Sequence, residues 1–192
     1  MQQLIFATHN NHKFEEVKKT LPQHINLLSL TDINFHDDIE ETEATIEGNA
    51  LLKAQTIFNK TGLNCFADDS GLCIDALNGA PGVYSARYAG EPRNDEANID
   101  KVLFELQHTE NRYAHFKTVM AYVIDGNYFL FEGIINGKIT HERNGTGGFG
   151  YDAIFMPDGY KQTFAEISLS EKTTISHRAI ALQKMLVFLK EK

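Results

Sequence analysis

Two adjacent carboxylates, Asp68 and Asp69, follow the apolar run Cys65, Phe66 and Ala67 and precede Ser70 and Gly71. Neighbouring acids repel unless a proton, a cation or a metal offsets their charge, and a hard, oxygen-ligated ion such as Mg²⁺ is one resolution. The competing reading is a turn in which one acid caps Ser70-Gly71 and the other faces water. A second acidic group, Asp37, Asp38, Glu40, Glu41 and Glu43, reads by itself as a solvated loop. Cations gather at two expected helix starts. Lys13 follows the candidate N-caps Asn10 and Asn11, while His177 and Arg178 follow the candidate N-cap Ser176, with Lys172 just upstream. A helix dipole disfavours cations in its first turn, so two such starts suggest a shared anion, which a phosphate chain would fit; Glu15 and Glu16 are the alternative source of compensation for Lys13.

Residues 145–150, GTGGFG, match the dinucleotide-binding GxGxxG spacing. The following YDAIFMPDG, with Pro157 and Gly159, denies that pattern the helix it needs, so the match is rejected. The glycines instead predict a tight loop presenting Phe149, Tyr151 and Asp152, either as an aromatic and acceptor set for a planar base or as a hairpin turn with core aromatics. No P-loop, HExxH or GxSxG motif occurs. His9 and His12 have helical ligand spacing but no third local partner, and read as solvated.

These groups need elements to hold them. Residues 4–7 read as a short buried strand, and Phe14, Val17 and Leu21 as one face of a following helix. Ile46, Ala50, Ala54 and Phe58 mark a second helix stopping near Gly62, after which residues 65–67 predict a strand that ends at the acid pair. Ile99, Val102, Leu103 and Leu106 mark a third helix. Residues 113–124 and 128–139 flank Asp125-Gly126, a hairpin turn, and Ala179, Leu182, Leu186 and Leu189 give a last helix. The expectation is an α/β protein with a mixed sheet, one continuous domain over residues 1–192, in two lobes.

The chain has 192 residues and a formal net charge of −8, which argues against a duplex-wrapping nucleic-acid binder while leaving room for a local cationic pocket. The N-terminal residues lack a signal-peptide pattern and no apolar run reaches membrane-spanning length, so a cytoplasmic location without a membrane partner is expected. Cys65 and Cys73, the two cysteines, read as reduced thiols. Two glycosylation-type triplets, at Asn59 and Asn144, carry no meaning without secretion.

Five stretches, "FATHNNHKFEEV", "EETEATIEGNALLKA", "FADDSGLCIDALNGAPGVYSARYAG", "GTGGFGYDAIF" and "TFAEISLSEKTTISHRAIAL", together resemble the inosine/xanthosine triphosphate pyrophosphatase family, in that family's order. The resemblance implies hydrolysis of non-canonical purine nucleoside triphosphates (ITP, dITP, XTP) to the monophosphate and pyrophosphate. It implies that Thr8, His9, Asn10 and Lys13 form the phosphate loop and that Ser70 touches substrate. Glu40 and Asp69 would serve Mg²⁺, with Glu41 and Asp68 as the alternative ligands, and Asp69 would also accept the proton of the attacking water. Phe149, Gly150, Tyr151 and Asp152 would form the base loop, with Lys172, His177 and Arg178 as donors to base and phosphates. The implied fold is an elongated mixed β-sheet flanked by helices, in two lobes around a cleft, and the implied assembly a homodimer.

Three positions depart from the family's pattern: His9 and Glu43 stand where glycine is common, and Ala153 where proline is. Glu43 bears on the choice between Glu40 and Glu41, and His9 adds a titratable group to the phosphate loop. The rival functions are a house-cleaning pyrophosphatase for modified pyrimidine nucleotides and a noncatalytic nucleotide-binding regulator.

Overall fold

The structure is a computed structural model and describes residues 2–191. Six strands form one mixed sheet in the order β2-β1-β3-β4-β5-β6. Strand β1 (Gln2–Phe6) pairs parallel with β2 (Ile25–Leu28) and with β3 (Cys65–Ile74). Strands β4 (Tyr113–Ile124) and β5 (Asn127–Ile139) are joined through Asp125 and Gly126, at φ 49° and 78°. Both central residues are left-handed, as a two-residue hairpin that matches strand twist requires. Strand β6 (Phe155–Pro157) runs antiparallel to the end of β5, Gly137 facing Pro157.

Among the described residues, five α-helices flank these strands: α1 (Asn11–Thr20), α2 (Ile46–Thr61), α3 (Asp95–Glu105), α4 (Leu169–Ile175) and α5 (His177–Lys190). Their ends carry the chemistry the sequence shows. Asn10 caps α1 by accepting from Lys13 N, and Thr45 caps α2 by accepting from Gly48 N. Gly62 closes α2 at φ 69°, a conformation a side chain would strain.

The chain forms two compact units, each with its own core. The first takes residues 2–69, 118–133 and 178–191, around Leu4, Phe6, Val17, Phe66, Met120 and Leu182. The second takes residues 70–117 and 134–177, around Leu72, Ile99, Val102, Phe116, Phe155 and Phe164. The chain passes from one to the other inside β3, β4 and β5 and at the start of α5.

One expectation is corrected. Strand β3 does not end at the acid pair but continues to Ile74. The continuation is fixed by burial and by backbone partners: Leu72 and Ile74 are fully buried, Leu72 N donates to Ser85 Oγ (2.9 Å), and Ile74 N donates to Ala80 O (3.1 Å). Strand β2, strand β6 and helix α4 carry no clear periodicity in the sequence, being only four, three and seven residues long.

Candidate active site

Strand β3 delivers the two carboxylates of the first unit. Successive side chains of a strand point to opposite faces, so Asp68 and Asp69, though adjacent, find different cations. Asp68, 1% exposed, is gripped from two helices. Lys13 Nζ of α1 lies 3.1 Å from both of its oxygens, and Arg178 Nε of α5 donates to Oδ2 at 3.2 Å. The Arg178 guanidinium also donates from Nη1 to Glu16 Oε2 on α1. Burial by itself would raise the Asp68 pKa, but Lys13, Arg178 and Lys53 hold it well below the usual carboxylate range. Burial lowers that of Lys13 against the pull of Asp68, whereas Glu16 and Asp68 outweigh burial and raise that of Arg178.

Asp69 faces a different partner. Lys53 Nζ of α2 donates to Glu41 Oε1 at 2.5 Å and to Asp69 Oδ1 at 3.4 Å. The other oxygen, Asp69 Oδ2, is buried and has no hydrogen-bond partner among the described residues. Burial pushes the Asp69 carboxyl up, Lys53 and Lys13 pull against it, and Glu41 and Asp68 add to the rise. Lys53 is correspondingly held charged by Asp69 and Glu41 despite its burial.

A buried, acceptor-only oxygen with no donor is chemically suited to a hard cation. No group of three or more His, Cys, Asp or Glu among the described residues is arranged to hold a metal unaided, so water or substrate oxygens would complete the coordination. Of the acids considered for this role, Glu41 shares Lys53 with Asp69, Asp68 is taken up by Lys13 and Arg178, and Glu40 is exposed.

The loop before α1 is tied on both sides. Asn10 N donates to Thr8 Oγ1 (3.1 Å), and His9 Nε2 lies 3.1 Å from Asp37 O in the acidic segment. His9 and His12 are exposed, as the sequence implies.

The second unit carries the glycine-rich loop. Asp152 is buried and accepts on Oδ2 from Phe149 N (2.8 Å) and from Lys172 Nζ (2.5 Å). The Lys172 ammonium lies 4.8 Å from the centroid of the Phe149 ring, a cation–π distance. Tyr151 is buried and donates from its hydroxyl to Ser85 O (2.8 Å). Gly150 sits at φ 56°. His177 is buried and stacked on Phe116 at 4.6 Å, while Ser70 is half-buried. Cys65 is buried and Cys73 partly so, both as free thiols.

Lys53 escaped the reading of the sequence, and Glu16 entered it only as an alternative counter-charge for Lys13, although a signal for burial existed for each. Lys53 lies in the buried stripe of α2 with Ile46, Asn49, Ala50, Ala54 and Ile57, and Glu16 lies beside buried Val17 on α1. A charge placed in the apolar stripe of a helix implies a buried partner.

A model of the Ham1 family matches residues 4–188 of this chain. The chain is 55% identical over 186 residues to a dITP/XTP pyrophosphatase of Christiangramia forsetii, covering 97% of this chain and 98% of that protein. It is 53% identical over 188 residues to a dITP/XTP pyrophosphatase of Flavobacterium psychrophilum, covering 98% and 99%. A solved structure of a HAM1 protein from Coxiella burnetii matches with a TM-score of 0.91 at 38% identity, covering 100% of both chains.

Proposed function

This chain belongs to the Ham1 family, and on that premise we propose that it hydrolyses non-canonical purine nucleoside triphosphates, dITP, XTP and ITP, to the monophosphate and pyrophosphate. The observation that carries the reading is Asp69: a buried carboxylate held through Oδ1 by Lys53, with Oδ2 facing no donor and a pKa raised by burial. Such a group is a stronger base than an exposed aspartate.

In the proposed reaction, Asp69 takes a proton from water as the water oxygen attacks the α-phosphorus. A new phosphorus–oxygen bond forms, the bond from the α-phosphorus to the bridging oxygen breaks, and pyrophosphate leaves with that electron pair. Glu40 and Asp69 would hold Mg²⁺, with Glu41, which shares Lys53 with Asp69, and Asp68 as the alternative ligands. Bound Mg²⁺ supplies neutralisation of phosphate charge. Thr8, His9, Asn10 and Lys13 serve the phosphates, and Ser70 touches substrate. Phe149, Gly150, Tyr151 and Asp152 serve the base, while Lys172, His177 and Arg178 serve base and phosphates. The reading extends to a cytoplasmic homodimer without a nucleic-acid or membrane partner; the net charge of −8 supports the first exclusion.

A nucleotide panel with and without Mg²⁺, resolving all phosphorus products, tests this reading. Monophosphate plus pyrophosphate from dITP, XTP and ITP, with activity lost on chelation, is expected. Diphosphate plus orthophosphate, or a preference for ATP or for modified pyrimidine nucleotides, would overturn it.

A further inference from the structure

The loop joining β5 to β6 is fastened to α3 at more than one point. Near its start, Arg143 Nε donates to Glu96 Oε2 (3.2 Å) and Nη2 to Asp100 Oδ1 (2.8 Å) and Glu96 O (3.1 Å). Near its end, Gly150 N donates to Asp95 Oδ2 (3.1 Å). Beneath it, the Ser85 carbonyl that accepts from Tyr151 also accepts from Asn98 Nδ2 (3.4 Å), so a third residue of α3 supports the same turn.

Asp95 is not occupied as the helix cap. Asn94 performs that task by accepting from Ala97 N at 3.0 Å. The Asp95 carboxylate is instead oriented by Arg93, whose Nε and Nη2 donate to it at 3.0 and 3.3 Å, and its Oδ2 meets the amide of Gly150. Gly150 stands at a left-handed φ of 56°, between Phe149 and the buried pair Tyr151 and Asp152. An acceptor on that amide fixes the peptide plane from which Phe149 projects.

We propose that Asp95 is a positioning residue for base selection, setting the turn at residues 149–152 through the Gly150 amide, with Arg143 as the second fastening. This rests on the reading that residues 149–152 hold the base. A turn ordered before substrate arrives avoids the ordering cost on binding, so the contribution belongs in KM more than in kcat. The expected size is about three- to tenfold, because the ion pairs involved are partly exposed and screened.

The test compares Asp95→Ala, Asp95→Asn and Phe149→Ala with the unaltered protein, by amide hydrogen exchange at Gly150 and Tyr151 and by steady-state kinetics on ITP. Expected for Asp95→Ala are faster exchange at both amides, a three- to tenfold higher KM, kcat within about twofold, and unchanged inhibition by pyrophosphate, which lacks a base. Asp95→Asn keeps an acceptor for Gly150 N and restores exchange and KM to within about twofold; it also keeps the question open to measurement if the alanine variant folds poorly. Unchanged exchange in Asp95→Ala, or a loss confined to kcat, overturns the inference. A raised KM in Phe149→Ala with none in Asp95→Ala overturns the inference alone. An unchanged KM in Phe149→Ala, with loosened amides in Asp95→Ala, overturns both it and the base-loop reading on which it rests.

Discussion

Arg178 donates from Nε to Asp68 Oδ2 at 3.2 Å, joining residues 110 apart in sequence, and its other arm reaches Glu16, 162 residues away. All three side chains are buried, so the guanidinium is the counter-charge for two carboxylates that have little water. Arg178→Ala is expected to cost about 3 kcal/mol or more of stability, since removing one partner leaves buried charge uncompensated. Arg178→Lys recovers only part, because an ammonium cannot reproduce the fork that meets Glu16 and Asp68 together. Denaturant titration of the three proteins checks the order wild type, Lys, Ala.

Asp69→Asn is expected to separate activity from stability. Burial disfavours the ionised Asp69, so a neutral side chain of the same shape removes a strain from the folded state. The variant should melt at or above the wild-type temperature while losing about 10² to 10⁴ in kcat, the usual contribution of a general base. A folded variant with near-normal turnover would remove Asp69 from the proposed role.

The acid limb of stability should carry the signature of Asp68. Its folded pKa is depressed below the ordinary 3.8, so its stabilisation is complete above that value and is lost as pH falls toward the folded pKa. Asp69, with a raised pKa, contributes with the opposite sign. In chelator-containing buffer, the stability difference between wild type and Asp68→Asn is therefore expected to be largest near neutrality and to shrink below about pH 4. A difference independent of pH would mean that Asp68 acts through shape alone.

Lys13→Ala should weaken triphosphate binding more than monophosphate binding, because the proposed partner of the ammonium is the phosphate chain. Competition binding with ITP and IMP, using a catalytically impaired background, measures the two affinities. Equal weakening would move Lys13 out of the phosphate site and leave it as the counter-charge of Asp68, 3.1 Å away.

Gly148→Ala should disturb the base loop with little effect on the first unit. A Cβ there would lie 2.1 Å from Asp152 Oδ2, on a backbone at φ 72° that a side chain strains. Asp152 must then shift from Lys172 and Phe149 N, from both of which it now accepts. The expected result is a fall in kcat/KM for ITP of about tenfold or more, with pyrophosphate inhibition retained.

The sequence by itself determined the long elements and the segments that bear chemistry. Asn10 and Gly62 mark helix ends where the structure has them, Asp125-Gly126 marks the hairpin, and the acid pair stands out as a charge problem in need of a cation. These are local matters of capping, turn conformation and periodicity, settled within a few residues. The tertiary structure decided which cation answers which acid. Strand alternation sends Asp68 to Lys13 and Arg178 and Asp69 to Lys53, so the cations at the starts of α1 and α5 share an internal anion, Asp68, whatever further anion they bind. Tertiary packing also carried β3 past the acids, because the burial of Leu72 and Ile74 extends the strand where Asp68, Asp69, Ser70 and Gly71 look like a turn. The division has one physical cause: a buried charge is governed by desolvation and by partners brought close in space, and neither can be read from neighbours in sequence.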